Sequence, residues 1–287
     1  MAQESEYLQT KDGVIHYRTF GSGAPILIIN GGPGLDSNGF QPLAELLSNE
    51  HTTILFDQRG TGESTLYTVD ESSVTMDLMV EDMEALRKHL GYDEWIVLGH
   101  SFGGFLGEQY ATMYPDSIKA LILSSSGGID LDLLKYFRQN LQMALSQTER
   151  DAFKYWDSVV NGENPSNEAK YNRAKYLASA YLYKKELIPT LAKRLAQGGV
   201  EEINSLVFKD LFDNKFDCRE ALKDFEKPVL IIQGRQDPIG AGTAYEAHEA
   251  LKTSKLVFIN ESGHYSWWEQ SDAFVEALHE FLVQVES

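Results

Sequence analysis

The chain has 287 residues, a length typical of one or two domains, and its 43% hydrophobic and 24% charged residues are close to the average of folded proteins. The net charge of −18 argues against binding of nucleic acid or of an anionic membrane through a basic surface. The single cysteine, Cys218, excludes an internal disulfide framework and a metal site built from several cysteines. No apolar run approaches the roughly 18 to 20 residues of a membrane-spanning helix, so we expect no membrane span.

The first residues are polar and acidic and lack the apolar centre of a signal peptide. This pattern favours a cytoplasmic protein. The segment Ala2-Gln3-Glu4 also resembles the residues that follow a cleavage site. The alternative is therefore an exported protein from which a signal peptide was removed before Ala2.

Short apolar segments rich in β-branched residues alternate with amphipathic segments along most of the chain. Buried strands are predicted at residues 14–17, 25–29, 53–56, 95–98, 120–123, 229–232 and 256–259. Helices are predicted at residues 76–90, 105–114, 242–251 and 272–285. This alternation is typical of an α/β fold with a mostly parallel sheet and helices on both of its faces.

The alternation is interrupted between residues 130 and 213, where only helical patterning occurs. This segment carries 12 acidic and 12 basic residues, so the whole net negative charge belongs to the rest of the chain. We interpret the segment as a helical lid inserted between two strands. The predicted core comprises residues 1–129 and 214–287, and the predicted lid comprises residues 130–213.

The segment Gly99-His100-Ser101-Phe102-Gly103 lies between a predicted strand and a predicted helix. It fits the G-x-S-x-G pattern, in which a tight strand–turn–helix connection exposes a serine hydroxyl at the C-terminal edge of the sheet. Glycine is needed two residues before and two residues after the serine, because larger side chains would clash in that turn. We therefore predict Ser101 as a nucleophile, which needs an adjacent base at neutral pH.

The base and its acidic partner are predicted from their position at the same sheet edge. Among the seven histidines, His264 follows the strand at 256–259 in a loop just before the last helix. Asp237 directly follows the strand at 229–232. The alternative acids precede that strand; they are Asp210, Asp213 and Asp224. We therefore predict that Asp237 orients His264, which takes the proton of Ser101.

A tetrahedral intermediate needs hydrogen-bond donors aimed at its oxyanion. One predicted donor is the backbone N–H of Phe102, which follows the nucleophile. The second is expected in the turn Asn30-Gly31-Gly32-Pro33-Gly34, after the strand at 25–29. Because Pro33 has no N–H and glycine lets a substrate approach the backbone closely, Gly32 is the predicted second donor.

A second loop, Asp57-Gln58-Arg59-Gly60, follows the strand at 53–56. We interpret this loop as structural. Its oppositely charged residues, Asp57 and Arg59, are expected to pair with each other. The pair would order the loop beneath residues 30–34.

From about residue 10 to residue 285, the chain resembles the α/β-hydrolase family. Gly31-Gly32-Pro33-Gly34 and Asp57-Gln58-Arg59-Gly60 are similar to the His-Gly-Gly-Pro-Gly and Asp-Gln-Arg-Gly motifs of its proline iminopeptidase group. Asn30 replaces the histidine, and His100-Ser101-Phe102 stands where Gly-Ser-Trp is more frequent. The resemblance implies an α/β-hydrolase fold, a helical lid over the site, the triad Ser101, Asp237 and His264, and no cofactor or metal.

We interpret the chain as a serine hydrolase that works through an acyl-enzyme intermediate. Within this class we favour a proline-iminopeptidase-like aminopeptidase that acts on a small-molecule or short-peptide substrate. Enzymes of that group release N-terminal residues, often proline, and recognise the substrate's amino group through lid carboxylates. Glu186, Glu201 and Glu202 are the candidates for this contact, and Glu186 is the first choice. Two alternatives stay open: a carboxylesterase for small acyl esters and a non-catalytic ligand receptor on the same fold.

Overall fold

The computed structural model describes residues 5–286. Within them, nine strands form one sheet. They are Glu6–Gln9 (β1), Gly13–Gly21 (β2), Ala24–Ile29 (β3), His51–Phe56 (β4), Thr65–Leu66 (β5), Trp95–His100 (β6), Ile118–Ser124 (β7), Val229–Gly234 (β8) and Ser254–Ile259 (β9). The order in the sheet is β1-β2-β4-β3-β6-β7-β8-β9, and β5 pairs with β2.

Most of this sheet is parallel. Every neighbouring pair from β4 through β3, β6, β7 and β8 to β9 is parallel, whereas β2 pairs antiparallel with β1, β4 and β5. All seven predicted strands are present, which confirms the expected sheet. The sequence did not predict β1 and β5, because β1 is largely exposed and β5 has only two residues, so neither has an apolar pattern.

Alternate residues of the central strands pack on opposite faces of the sheet. In β3, Leu27 and Ile29 belong to one hydrophobic cluster, whereas Ile26 and Ile28 belong to the other. All four side chains are fully buried, and complete burial of one such side chain contributes ~1.5–3 kcal/mol. Burial on both faces explains why these strands are continuous apolar runs in the sequence.

Helices cover both faces of the sheet. They are Gln41–Leu47 (α1), Met76–His89 (α2), Phe102–Met113 (α3), Leu134–Met143 (α4), Gln147–Val160 (α5), Asn167–Tyr181 (α6), Ile188–Gln197 (α7), Glu201–Asp213 (α8), Arg219–Leu222 (α9), Ala241–Ala250 (α10), Ser266–Glu269 (α11) and Ser271–Glu286 (α12). The four predicted helices are confirmed as α2, α3, α10 and α12, and α3 begins directly after Ser101 rather than at residue 105. No helix among residues 5–286 is long and apolar enough to span a membrane.

The helices α4 to α8 lie between β7 and β8, in the segment where the sequence predicts a helical insertion. The two ends of this segment meet, because Asp130 and Asp217 form an antiparallel bridge. Beside that bridge, the N–H of Cys218 donates to the carbonyl of Ile129 at 3.0 Å. The inserted helices therefore leave the sheet and return to it at one place.

Candidate active site

Three parallel strands, β6, β8 and β9, end at the same edge of the sheet. Ser101 follows β6 directly, Asp237 comes shortly after β8, and His264 lies in the loop after β9. The fold therefore places all three predicted catalytic residues along one edge, as their positions in the sequence require.

Ser101 lies in a strained turn. Its backbone angles are φ +56° and ψ −118°, a conformation that costs non-glycine residues about 1–3 kcal/mol. A Cβ at Gly99 would lie 2.2 Å from the carbonyl oxygen of Gly103, and a Cβ at Gly103 would lie 2.2 Å from that of Ile29. Both glycines are therefore sterically required, as predicted. The N–H of Ser101 donates to the Ser124 carbonyl at 3.0 Å, which ties the turn to β7.

A buried hydrogen bond joins His264 and Asp237. Nδ1 of His264 lies 3.0 Å from each carboxylate oxygen of Asp237, and the two residues are 3% and 7% exposed. The N–H of Ile239 donates to Oδ1 of Asp237 at 2.9 Å and so holds the carboxylate. Because a carboxylate only accepts hydrogen bonds, Nδ1 carries a proton, and in the neutral form of the imidazole Nε2 is the proton acceptor.

Three aromatic rings surround the imidazole of His264. The ring of Tyr181 is stacked on it, with 4.8 Å between ring centroids, and the rings of His100 and Tyr265 lie at 4.7 and 5.2 Å. His100 is fully buried, and its Nδ1 lies 3.3 Å from the hydroxyl of Ser124. Burial, with a smaller contribution from nearby positive charge, holds the pKa of His100 well below its ordinary value, so His100 is neutral.

The glycine-rich loop after β3 packs against the serine turn, because a Cβ at Gly31 would lie 2.7 Å from the Cβ of Ser101. Gly32 has φ +78°, in the left-handed region that favours glycine. Neither the N–H of Gly32 nor that of Phe102 donates to another group of the described residues. The N–H of Phe102 also belongs to the first turn of α3, where the helix dipole favours negative charge. The binding of an oxyanion by these two N–H groups stays a prediction.

The sequence profile of the alpha/beta hydrolase fold matches residues 24–271. The chain belongs to the α/β-hydrolase family. Proline iminopeptidase of Saccharolobus solfataricus is 30% identical to this hydrolase over 284 residues, which cover 94% of this chain and 88% of that protein. Proline iminopeptidase of Lactobacillus helveticus is 29% identical over 282 residues, which cover 94% of each chain.

Solved structures show the same fold. An α/β-fold family hydrolase from Bacillus anthracis superimposes with a TM-score of 0.78 at 20% identity, covering 97% of this chain and 99% of that one. An esterase from Exiguobacterium antarcticum superimposes with a TM-score of 0.75 at 19% identity, covering 99% and 100%. The expected α/β-hydrolase fold and the resemblance to proline iminopeptidases are therefore confirmed.

In this hydrolase the loop after β4 is ordered differently from our expectation, because Asp57 and Arg59 do not pair. Asp57 accepts hydrogen bonds from the N–H groups of Ser37 and Glu63 at 2.8 and 2.9 Å. Burial acts to raise the pKa of Asp57, but these hydrogen bonds, together with those from the side chains of Ser37 and His16, outweigh it and hold the pKa below its ordinary value. Arg59 instead forms two hydrogen bonds with Asp82, at 2.7 and 2.8 Å. The expected pair is wrong because each residue has better-placed partners on other elements.

Gln58, between these two residues, supports the glycine-rich loop. Its Nε2 donates to the carbonyl oxygen of Asn30 at 2.9 Å. The amide of Asn30 in turn donates to the carbonyl of Leu35 at 3.2 Å and closes the loop on itself. Both amide side chains are buried. The sequence gives no signal for this role, because a glutamine in a polar loop has no periodicity and no charge.

The three glutamates proposed to bind the substrate's amino group are all exposed. Glu186 lies in the short 3₁₀ turn Lys185–Leu187, and Glu201 and Glu202 begin α8. Glu186 makes no hydrogen bond or ion pair within residues 5–286. Its contact with a substrate stays a prediction.

Sequence reasoning missed a fourth glutamate, Glu269, which is 1% exposed and lies at the end of α11. Its carboxylate accepts hydrogen bonds from three backbone N–H groups, those of Tyr183, Lys184 and Gly263. Burial raises the pKa of Glu269 although these N–H groups oppose the rise. The one available signal was an acidic residue directly after two tryptophans, Trp267 and Trp268.

The sequence predicts neither a metal nor a cofactor. Among the described residues, no three His, Cys, Asp or Glu side chains form a group that could hold a metal ion. The single cysteine, Cys218, is buried, and burial raises the pKa of its thiol. This placement agrees with a packing role for Cys218.

Proposed function

We propose that the chain is a serine hydrolase that works through an acyl-enzyme intermediate, with Ser101, Asp237 and His264 as its catalytic triad. The observation that carries this proposal is the buried hydrogen bond between His264 and Asp237, at the sheet edge where Ser101 is held at φ +56°. A serine hydroxyl becomes an effective nucleophile when an oriented base removes its proton. Membership of the α/β-hydrolase family supports this chemistry.

The reaction follows from these positions. Ser101 Oγ attacks the substrate carbonyl while Nε2 of His264 takes the hydroxyl proton, and Asp237 stabilises the resulting imidazolium. The N–H groups of Gly32 and Phe102 bind the oxyanion; losing one such donor costs about 2.7–4 kcal/mol of transition-state stabilisation. His264 then gives its proton to the leaving group. A water molecule, activated by His264, hydrolyses the acyl-enzyme and restores Ser101.

We propose that residues 130–213 form a lid over this site. The N–H of Val200 donates to the carbonyl of Gly34 at 2.9 Å, so the segment binds the glycine-rich loop. The ring of Tyr181, at the end of α6, stacks on His264. The inserted segment thus touches the predicted oxyanion loop and the predicted base, as expected of a cover that excludes water during the reaction.

Within this class, we propose a proline-iminopeptidase-like aminopeptidase that releases an N-terminal residue, such as proline, from a small or short-peptide substrate. The support is the similarity to proline iminopeptidases over 94% of the chain. An aminopeptidase must bind a protonated amine beside the scissile bond. Glu186 is the carboxylate that we propose for this contact.

A carboxylesterase for small acyl esters is the second candidate, and one observation favours it. The guanidinium of Arg194, on the lid helix α7, lies 4.9 Å from the ring centroid of Phe40. That ring is 5.2 Å from the ring of His100, which is next to the nucleophile. A positive charge in this position repels a protonated amine but not a neutral ester.

Turnover of a prolyl arylamide, compared with turnover of a short-chain aryl ester, tests the proposal. An aminopeptidase should hydrolyse the prolyl arylamide but not its N-acetylated form, because acetylation removes the positive charge of the substrate's amino group. Hydrolysis of the ester alone supports a carboxylesterase. If neither substrate is hydrolysed and a fluorophosphonate labels no serine, the hydrolase proposal is wrong and the non-catalytic receptor takes its place.

A further inference from the structure

Glu269 is a buried carboxylate whose hydrogen-bond donors are backbone N–H groups from two separate segments. Oε1 accepts from Tyr183 at 2.6 Å and from Lys184 at 2.8 Å, and both donors follow α6. Oε2 accepts from Gly263 at 2.7 Å, the residue before His264. One side chain therefore joins the end of a lid helix to the loop that carries the proposed base.

The same two segments are joined at further points. The N–H of His264 donates to the carbonyl of Tyr181 at 2.8 Å, and the ring of Tyr181 stacks on the imidazole. A Cβ at Gly263 would lie 2.1 Å from that carbonyl, so the loop can approach α6 this closely only with glycine at position 263. The position of His264 therefore depends on where the end of α6 lies.

A carboxylate suits this junction because it offers two acceptor atoms and no donor. Three N–H groups converge on Glu269, and hydrogen bonds to an ionised acceptor are stronger than those to a neutral one. A glutamine has the same size but presents an NH₂ group on one side. At least one of the three N–H groups would then face a donor, and the junction would loosen.

We propose that Glu269 is a positioning residue that holds the His264 loop against the end of α6, so that the lid and the base keep one relative position. This inference rests on the proposed roles of His264 and of the lid. A misplacement of about 1 Å costs a reaction on the order of a hundredfold in rate. Loss of this junction should therefore lower kcat strongly, whereas KM should change little because Glu269 does not contact the substrate.

Glu269→Gln is the first variant to test. Glu84→Gln is its matched control, because Glu84 is also buried but bonds to Arg87 and Tyr110 on the helices α2 and α3. We expect kcat of Glu269→Gln to fall by about ten- to a hundredfold, with KM within about twofold of the parent value. Glu84→Gln should lower the melting temperature but leave kcat near that of the parent.

A second pair of variants removes one donor without touching the buried carboxylate. Lys184 has φ −77°, which a proline ring accepts, so Lys184→Pro deletes its N–H while keeping this backbone angle. Lys184→Ala removes the same side chain and keeps that N–H. We expect Lys184→Pro to lower kcat in the direction of Glu269→Gln, and Lys184→Ala to behave like the parent.

The hydrogen bond between His264 and Asp237 provides a measurement that needs no substrate. Its Nδ1 proton gives a far-downfield NMR resonance, which is assigned by its absence in His264→Ala. We expect this resonance to shift or broaden in Glu269→Gln and Lys184→Pro, and to stay unchanged in Glu84→Gln and Lys184→Ala. This readout tests the junction even if the enzyme hydrolyses neither the arylamide nor the ester.

Two results would overturn the inference. One is a parent-like resonance and kcat in both Glu269→Gln and Lys184→Pro. The other is an equal change in Glu84→Gln, which would mean that any loss of stability disturbs the base. Failure of the parent to hydrolyse a prolyl arylamide, with the resonance still responding as expected, would contradict the aminopeptidase proposal and leave this inference standing.

Discussion

The phenol ring of Tyr181 lies stacked on the imidazole of His264, at an interplanar angle of 26° and a centroid distance of 4.8 Å. Tyr181 is the last residue of α6, whereas His264 belongs to the loop after β9. The ring of His100 lies beside the same imidazole at 4.7 Å, with an interplanar angle of 53°. Since Asp237 holds only the Nδ1 atom, the orientation of the imidazole plane depends on these two rings and on that of Tyr265, at 5.2 Å.

A substitution of Tyr181 that removes its aromatic ring should therefore lower kcat, whereas one that keeps the ring should not. Aromatic pairs of this kind contribute about 0.5–1.5 kcal/mol. We expect Tyr181→Ala to lower kcat by about tenfold because the imidazole gains freedom. Tyr181→Phe, the matched control, should retain most of the activity. Steady-state kinetics on one substrate measure both, and equal activity of Tyr181→Ala and the parent would show that the stacking does not position the base.

Ser101→Ala should abolish the covalent step. The variant keeps the fold, because alanine is hardly smaller than serine, but it lacks the attacking oxygen. Turnover should fall by several powers of ten, and labelling by a fluorophosphonate should disappear. Activity-based labelling followed by peptide mass analysis checks this outcome. Persistent labelling at another serine would contradict the assignment of Ser101.

The position of the candidate site could be predicted because its signals are local. The strand before Ser101 is a continuous apolar run, and the two glycines that flank the serine at a distance of two residues are needed by the turn itself. His264 and Asp237 were found from the strands that they follow. In each case a few neighbouring residues determine where the side chain lies.

The supporting contacts could not be predicted, because their partners are distant in the sequence. Asp57 bonds to Ser37 rather than to Arg59, two positions away. Gln58 donates a hydrogen bond to the carbonyl of Asn30, and Glu269 accepts hydrogen bonds from backbone N–H groups that follow α6. A buried polar group must find hydrogen-bond partners, but residue types alone do not show which backbone groups are brought close to it.

The pH dependence of kcat/KM should contain no ionisation of His100. Burial keeps the pKa of His100 well below its ordinary value, so this imidazole is already neutral between acid and neutral pH. His100→Asn should therefore keep the shape of the profile. Loss of an ionisation step from the profile of His100→Asn would contradict this assignment.

Gln58→Met should weaken stabilisation of the oxyanion. Methionine has a similar length but cannot donate the 2.9 Å hydrogen bond to the Asn30 carbonyl. A buried carbonyl without its partner costs about 1–3 kcal/mol, and the loop that carries Gly32 should relax. We expect kcat/KM to fall by about tenfold while a fluorophosphonate still labels Ser101. Unchanged kcat/KM would show that Gln58 does not support the donor at Gly32.

Glu186→Gln separates an aminopeptidase from an esterase. The sequence places Glu186 next to Lys185, but Lys185 donates to the carbonyls of Ser179 and Leu182, both at 2.7 Å, and not to Glu186. Glu186 is therefore a carboxylate without an ion pair among the described residues, and it follows the segment bound by Glu269. A substrate ammonium group is a suitable partner for such a carboxylate.

An ion pair at an exposed carboxylate contributes about 0.2–1 kcal/mol, which corresponds to roughly a 1.4- to fivefold loss of kcat/KM when the charge is removed. We expect this loss for Glu186→Gln on a free-amine prolyl arylamide and no loss on an uncharged aryl ester. Glu163→Gln is the matched control, because Glu163 is exposed in the loop after α5. If Glu186→Gln and Glu163→Gln hydrolyse the arylamide equally well, Glu186 does not bind the substrate and another group must recognise the amine.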